Sequence, residues 1–362
     1  MRGSPCASRR SRRDPGAAGA TGQGRPVSVT IKDVARQANV SVATVSRALN
    51  GQPNVAEDVR KRVLAVAEQL RYSPNHAARS LSSRRTQTIG VVLPELHGEF
   101  FSELMRGIDQ VAREHRLHLL VSSYHGNPQE QGVALRTMRG RVDGLLLMSP
   151  FVAGAEALAA DLPSMPVVLM NPAVALDGLP SIGVDNHGGA MAMMRHLLLA
   201  GHRRIAFVAG PEDNFDARER LRGYRDALAE SACASAPWVL QGDFDEASGA
   251  RAGHALLQGG ERPDAVFAAN DMMALGCLFA LRQGGVRVPE DVALAGFDDI
   301  PLSRYVHPPL TTMRVEIAEL GARAIQRLLE AGAGGPREAE TPELLVPRLV
   351  ARESSRLRQR TG

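Results

Sequence analysis

Cysteine is scarce in these 362 residues: there are three, Cys6, Cys233 and Cys277, far apart and odd in number. That excludes a disulfide framework and any paired metal-ligand spacing, and it suits a reducing cell interior. No run of about 18 apolar residues occurs, so no segment reads as a membrane span. Glycine motifs for phosphates and dinucleotides are missing too. No G-x-G-x-x-G follows a strand, no G-x-x-x-x-G-K-[ST] is present, and neither G-x-S-x-G nor H-E-x-x-H occurs. Asp298 and Asp299 adjoin, but no third acidic ligand stands at a recognisable spacing. His97, His125, His187 and His202 show no metal spacing and read as surface or loop polar groups. The expectation is a protein without cofactor or metal that is not an enzyme.

Charge is unevenly spread. Residues 1–85 hold 16 Lys and Arg against 5 Asp and Glu, a net +11 in a chain of net +4, so the remainder carries −7. A basic head on an acidic body suits phosphate binding by the head and repulsion between DNA and body. Part of the excess lies in residues 1–27, rich in Arg, Gly, Ala, Pro and Ser with almost no large apolar residue, which reads as a disordered basic tail. Arg9-Arg10 and Arg12-Arg13 lack the apolar stretch that export would need. A disordered arm adding non-specific DNA affinity is favoured over export or an organellar transit peptide, and a start codon placed too far upstream explains the segment equally well.

Residues 30–50, TIKDVARQANVSVATVSRALN, read as two short helices joined by a tight turn. Thr30 caps the first, with Asp33 three residues on facing its orphan amides. Ile31, Val34, Ala35 and Ala38 recur at i, i+3, i+4 and i+7 as one apolar face. Asn39 sits where a helix leaves through a left-handed residue. Ser41 caps the second helix, whose inward face is Val45, Ala48 and Leu49, and Asn50-Gly51 ends it. Two helices this short need a third to close their core. Asn54-Val55-Ala56-Glu57 opens it, and Val59, Val63, Val66 and Leu70 give the matching stripe. Together they predict a helix-turn-helix unit over residues 28–72, the geometry that sets its second helix in a DNA major groove.

Ser73-Pro74-Asn75 then puts a cap before a proline and opens a short helix from Asn75 to Leu81, within a hinge and linker at 73–87. A helix this short folds only against a partner copy, DNA or both. Leu81 is placed to wedge between base pairs in the minor groove. A plain linker accounts for the segment equally well.

From Thr88 the pattern changes to apolar runs alternating with helical stretches: IGVVLP (89–94), LHLLVSS (117–123), VDGLLLM (142–148), PVVLMN (166–171), RIAFVAG (204–210), AVFAAND (265–271) and VALAGFDD (292–299). Such runs are strands buried on both faces, with room for a crossover helix between each pair. They predict an α/β core over 88–355, in two doubly wound parallel-sheet lobes, because about 270 residues exceed the usual single core. Lobe 1 is expected at about 88–187 and 316–331, lobe 2 at about 188–315 and 340–355.

Several motifs now stand in order from about Val29 to about Ser354: VTIKDVARQANVSVATVSRALN, YSPNHAARSL, TIGVVLP, VDGLLLM, GHRRIAFVAGP, RERLRGY, AND (269–271), VPEDVALAGFDDIP and PPLTTMR. This series resembles the lactose-repressor (LacI) family of transcriptional regulators. The resemblance implies an all-α helix-turn-helix head, a hinge helix and a two-lobed core like that of periplasmic sugar-binding proteins. It implies a cytoplasmic repressor of near-palindromic double-stranded operator DNA, controlled by a small-molecule effector between the lobes. Half-sites roughly 10 base pairs apart suit two copies around a dyad. After Val350 no apolar heptad follows, so a homodimer is expected rather than a coiled-coil tetramer.

The resemblance also carries over residue by residue. Val42 and Ala43 occupy base-reading positions, where they offer only apolar contact with thymine methyl groups. Ser46 and Arg47 lie one turn further on, and Arg47 is the long donor suited to a guanine. Thr30, Ser41, Thr44 and Asn50 are placed to hold phosphates. Asn75, Ala78 and Leu81 belong to the hinge, and Leu81 matches the family's minor-groove leucine.

Ligands of open α/β sheets bind outside the carboxyl ends of the strands. Asp298, Asn270, Asp271 and Arg220 stand there, a set suited to vicinal hydroxyls. Phe100, Phe101 and Phe244 sit in strand-end loops of a chain with only 4% aromatic residues, placed to stack on a sugar face or a base. Two plainer accounts stay open: an inter-lobe structural pair for Arg220–Asp298, and simple packing under its helix for Phe101. The family's purine-responsive branch has an additional basic residue at the position of Asn214 and a threonine at that of Asp216. Acidic Asp216 suits a polyol better, which favours a carbohydrate effector, with a purine or another metabolite as the alternative.

Overall fold

The computed structural model describes residues 29–49, 51–72, 85–151, 155–231, 235–332 and 342–356. The basic tail, Asn50 and the hinge positions Asn75, Ala78 and Leu81 lie outside the described residues. The chain divides into two compact units, Met1–Ser82 and Ser83–Gly362.

In the first unit, α1 (Ile31–Ala38), α2 (Val42–Leu49) and α3 (Glu57–Gln69) close around Val34, Ala35, Ala38, Val45, Ala48, Val63 and Ala67. Asp33 Oδ2 accepts from the Thr30 amide at 3.0 Å and from its hydroxyl at 2.7 Å, which fixes the start of α1. Asn39 leaves the helix at φ 52°. Ser41 Oγ then accepts from the Thr44 amide at 3.1 Å and caps α2. The third helix starts within the expected segment, at Glu57, with Ala56 as an N-cap that makes no side-chain bond. Glu57 and Asp58 in the first turn instead place negative charge against the helix dipole.

The second unit holds two parallel sheets. In lobe 1, β1 (Thr88–Leu93), β2 (His118–Ser123), β3 (Gly144–Met148), β4 (Val167–Met170), β5 (Ser181–Val184) and β11 (Glu343–Leu345) take the order β11-β5-β4-β3-β1-β2. The helices α4 (Glu99–Glu114), α5 (Pro128–Met138), α6 (Ala155–Asp161) and α11 (Ile317–Gly332) accompany them. Gly107 of α4 meets α11 so closely that a Cβ there would lie 1.8 Å from the Ala318 carbonyl oxygen. Only glycine permits that approach.

In lobe 2, β6 (Ile205–Ala209), β7 (Trp238–Gln241), β8 (Ala265–Ala268) and β9 (Ala293–Ala295) run parallel in the order β7-β6-β8-β9. They alternate with α7 (Asn186–Leu199), α8 (Phe215–Glu230), α9 (Glu246–Gln258) and α10 (Asp271–Gln283). A short ribbon of β10 (Thr312–Arg314) and β12 (Arg348–Val350) is antiparallel. The strands β3, β4, β6 and β8 are buried along their whole length, which is why their sequences are unbroken apolar runs. The expected lobe boundary at 340–355 is corrected. β11 pairs with β5, so this part of the segment completes the sheet of lobe 1 before the chain returns to lobe 2.

Candidate DNA interface and ligand site

On the head, α2 presents Val42, 41% exposed, together with exposed Ala43 and Arg47. Ser46, half-buried, flanks them. The capping groups are already bonded. The Thr30 amide and hydroxyl both serve Asp33, so Thr30 reaches a phosphate only by leaving that box. Ser41 Oγ and Thr44 Oγ1 lie 2.8 Å apart. One hydroxyl donates to the other, which leaves the second proton for a phosphate oxygen. Lys32, Arg36, Lys61, Arg62 and Arg71 add exposed positive charge to the same unit.

In the core, Arg220 on α8 is the hub. Its Nε donates to Asn186 Oδ1 at 2.8 Å and Nη1 donates to the Ala269 carbonyl at 2.6 Å. Nη2 lies 3.2 Å from Asp298 Oδ1. The guanidinium carbon sits 3.9 Å from the Phe297 ring centroid and 5.8 Å from that of Phe244, cation–π contacts that hold it flat. Both Arg220 and Asp298 belong to elements of lobe 2, so the inter-lobe ion pair entertained from the sequence is corrected to a pair within one lobe.

Among the bonds that cross between lobes are Asn171 Nδ2 to Asp216 Oδ2, at 2.9 Å, and the Phe215 amide to the Pro150 carbonyl, at 2.8 Å. Asn171 follows β4, and Asp216 stands one turn before Arg220 on α8. Asn186 Nδ2 donates to the other Asp216 oxygen at 2.8 Å. A continuous chain thus runs from Asn171 through Asp216, Asn186 and Arg220 to Asp298. Burial pushes the Asp298 carboxyl up to about 6, the charge of Asp216 adding to it against the opposing pull of Arg220. Burial likewise raises Asp216 above the ordinary carboxylate range. Asp298 holds a left-handed φ of 107°, fixed by bonds from its amide to the Met313 carbonyl and to its own carbonyl from the Val315 amide. Such strain concentrates at functional positions.

The other expected residues divide. Phe244, also left-handed at φ 65°, is tied by Asn270 Nδ2, which donates to its carbonyl at 2.8 Å. Asn270 Oδ1 caps α10 through the Met273 amide. Asp271 corrects its assignment to the ligand. It is 0% exposed, and its two oxygens accept from Thr312 Oγ1 at 2.6 Å and the Ile300 amide at 3.0 Å. It pins the loop after β9, and both of its oxygens are engaged there. Asp299 binds Arg314 and Arg352, each at 2.6 Å, and is equally structural. Phe100 and Phe101 open α4 as an edge-to-face pair 5.4 Å apart, both half-buried against the core. Beside them, Glu99 Oε2 accepts from the Leu302 amide at 3.1 Å, a further link between lobes. Asn171, Asn186 and Phe297 are the members that residue reading missed.

A cavity of about 240 Å³ adjoins Asn171 and Asp216 on the side of β5 and β11. A larger one, about 850 Å³, opens among Arg85, Ile89, Arg139, Gly144 and Pro166, at the amino-terminal ends of the lobe 1 strands. Strand carboxyl ends are where α/β sheets hold ligands, so the polar chain around Arg220 is the candidate site and the larger cavity is not. Among the described residues, no group of three acidic, His or Cys side chains is placed to hold a metal, and no helix is long and apolar enough to cross a membrane.

Residues 30–75 match the bacterial regulatory proteins of the lacI family, and residues 194–355 match a periplasmic binding protein-like domain. The ribose operon repressor of Haemophilus influenzae is 36% identical over 330 residues, 90% of this chain and 98% of the relative. This chain belongs to the LacI family of bacterial transcriptional regulators. Another relative, the transcriptional repressor PurR of Aliivibrio salmonicida, is also 36% identical over 330 residues, with 90% of this chain and 98% of the relative covered. Among solved structures, the lac repressor dimer bound to operator and the anti-inducer ONPF superposes with a TM-score of 0.82. It is 30% identical and covers 91% of this chain and 99% of its own. The LacI-family architecture of helical head and two-lobed, parallel-sheet core is therefore shared along nearly the whole length of the regulator.

Proposed function

We propose that this LacI-family regulator is a repressor that binds a near-palindromic operator as a homodimer in the cytoplasm, and that a small polyol of the carbohydrate class controls it from between the lobes. The head, taken as 28–72, reads the major groove with Val42, Ala43, Ser46 and Arg47, while the hinge at 73–87 supplies Leu81 to the minor groove. The effector meets Arg220, Asp298, Asp216, Asn171 and Asn186, with Phe244, Phe100 and Phe101 as apolar surface. One observation carries this reading: a buried guanidinium held flat between Phe297 and Asp298, with a second carboxylate one turn away. That arrangement suits vicinal hydroxyls, which both donate and accept. The names of the relatives support regulation by metabolites, since one is a ribose operon repressor and one a PurR. The absence of threonine at Asp216 favours the sugar over the purine.

A lobe rearrangement transmits the signal. The effector shifts the population between two lobe arrangements by binding one of them better. The Asn171–Asp216 bond spans the lobes and is the natural contact for a ligand to replace. Thermal shift of the full-length protein against sugars and purines, followed by fluorescence anisotropy on selected operator DNA, tests the proposal. Stabilisation by a sugar that also changes operator affinity is expected. Stabilisation by purines alone reverses the effector class. No preference for any duplex over random competitor ends the proposal.

A further inference from the structure

We infer that the cavity of about 240 Å³ at the seam of the lobes is a second ligand site, separate from the effector cleft, and that it takes a small uncharged molecule of one or two rings bearing an N–H or O–H donor. The inference goes beyond the effector reading and does not depend on it. The first observation is the wall. Pro172 and Ala173 after β4, Gly183 and Val184 of β5 and Leu344 of β11 form the lobe 1 side, and Phe215 of α8 stands on the lobe 2 side. Arg220, Asp298 and Phe244 do not line it. An apolar cavity of about 150 Å³ admits benzene, so this one has room for a ring or a fused pair. No Lys, Arg or His lines it, and its one carboxylate, Asp216, already accepts from Asn171 and Asn186. An anion finds no counter-charge there, and a cation finds a carboxylate bonded twice and already under the charge of Arg220.

The second observation is an unmade hydrogen bond. Asn171 is 4% exposed, and its Oδ1 is buried without a hydrogen-bond partner. The side-chain amide is oriented by its other end, because Nδ2 donates to Asp216 Oδ2. The main chain is pinned by the Asn171 amide, which donates to the Ile182 carbonyl at 2.8 Å. Oδ1 thus points toward Gly183, where a Cβ would lie 3.6 Å from it, and both residues line the cavity. Ser181 brings the one hydroxyl of the wall and does not reach that oxygen. A buried acceptor left unmade is a standing cost. An apolar ring with one donor removes that cost while covering the walls, and it leaves the bond from Nδ2 to Asp216 intact.

Because the walls come from both lobes, an occupant adds contacts across the seam, beside the bond from the Phe215 amide to the Pro150 carbonyl. It binds this lobe arrangement better than one in which α8 stands apart, and so shifts the population toward it. The seam is thereby a second input on operator affinity, energetically coupled to the effector cleft.

Isothermal titration of the full-length protein with two isosteric pairs tests the inference: indole with benzofuran, and phenol with toluene, the second member of each lacking the donor. About tenfold tighter binding of the donor-bearing member is expected in at least one pair. Gly183→Ala, whose added methyl meets only ordinary contacts at 3.5 and 3.6 Å, should weaken that binding, and the bulkier Gly183→Val should abolish it. Saturating indole or phenol should change operator affinity severalfold, read by fluorescence anisotropy, in the wild type and not in Gly183→Val. Equal binding within both pairs overturns the assignment of Asn171 Oδ1. Binding untouched by either Gly183 variant places the ligand elsewhere and overturns the site. No binding by any of the four leaves the cavity to water and overturns the inference whole. Unmoved operator affinity with binding retained overturns the second input while the site stands.

Discussion

Arg220 and Asp298 meet at 3.2 Å with 4% and 5% of their side chains exposed, on two elements of the same lobe. The pair is therefore set within one lobe, and Asn171 of the other lobe reaches it through Asp216 and Asn186. A ligand in the cleft encounters a guanidinium whose position is already paid for by Phe297 stacking and by three protein contacts. Preorganisation of this kind lowers the cost of binding. It also makes the pair separable from the response it supports.

Arg220→Met is expected to lower stability by about 3 kcal/mol, because it leaves the Asp298 carboxylate buried without its counter-ion. Adding Asp298→Asn to the same protein should recover most of that loss, since an uncharged pair has no such cost. Effector response should be absent in both proteins. Urea unfolding with operator anisotropy separates the two effects. A double variant no more stable than the single one would falsify the counter-ion account.

Acidity tests Asp298 in another way. Burial holds its folded pKa at about 6, above the ordinary carboxylate value of 3.8. Between those values the folded state binds more protons than the unfolded state, so stability from this group is present at low pH and is lost as pH rises through the window. Asp216 and Asp271 shift in the same direction, while Asp299 and Glu343 shift oppositely. The measurement is consequently a difference. The stability of the wild type relative to Asp298→Asn should fall between pH 4 and pH 6, by up to about 3 kcal/mol. A flat difference across that range means the carboxyl is not shifted upward.

The sequence was informative where burial is complete on both sides. β3 and β6 are GLLLM and IAFVA, and such runs have no reading but an inner strand. β5 is SIGV, β7 is WVLQ and β11 is ELL, short pieces at or near sheet edges that carry too little apolar pattern to stand out. The site divides on similar lines. Strand-end position pointed to Arg220, Asp298 and Asn270, which the structure gathers around Phe244 and Phe297. At Asp271 the structure shows a buried carboxylate engaged by Thr312 and Ile300, and a carboxylate at the first turn of a helix looks the same in sequence whether its partners are a ligand or the protein's own loop. Asn171 and Asn186 escaped notice because asparagine after a strand or at a helix start usually signals a turn or a cap. Their role follows from a third residue, Asp216, that the fold brings between them.

Ser41 caps α2 and is proposed to hold a phosphate, and one substitution separates the two roles. Its oxygen caps α2 through the Thr44 amide, and its hydroxyl pair with Thr44 leaves one proton for phosphate. Ser41→Ala should cost the head about 1 kcal/mol through the lost cap. Ser41→Asp keeps a capping oxygen, so thermal stability should be nearly retained, yet it sets a negative charge where phosphate is expected. Operator and random DNA should both bind it more weakly. Unchanged DNA affinity in Ser41→Asp removes Ser41 from the phosphate contacts.

On the proposed operator contact, Arg47 is where sequence discrimination is expected to concentrate. Val42 and Ala43 are exposed on α2 but have nothing to donate, and Thr44 is occupied with Ser41. Arg47 is the long exposed donor on that helix. A bidentate contact with guanine is worth roughly 1–3 kcal/mol of discrimination. Arg47→Ala should therefore weaken operator binding by about that amount and relax preference at one base pair in each half-site, with random DNA affected less. Arg47→Lys keeps the charge and loses the planar fork, so it should hold random-DNA affinity while still losing part of the preference. Binding to a library of single-base operator variants reads both quantities at once. Equal loss on operator and random DNA in Arg47→Ala would assign the residue to phosphate, and selectivity would then rest on methyl contacts and DNA deformation alone.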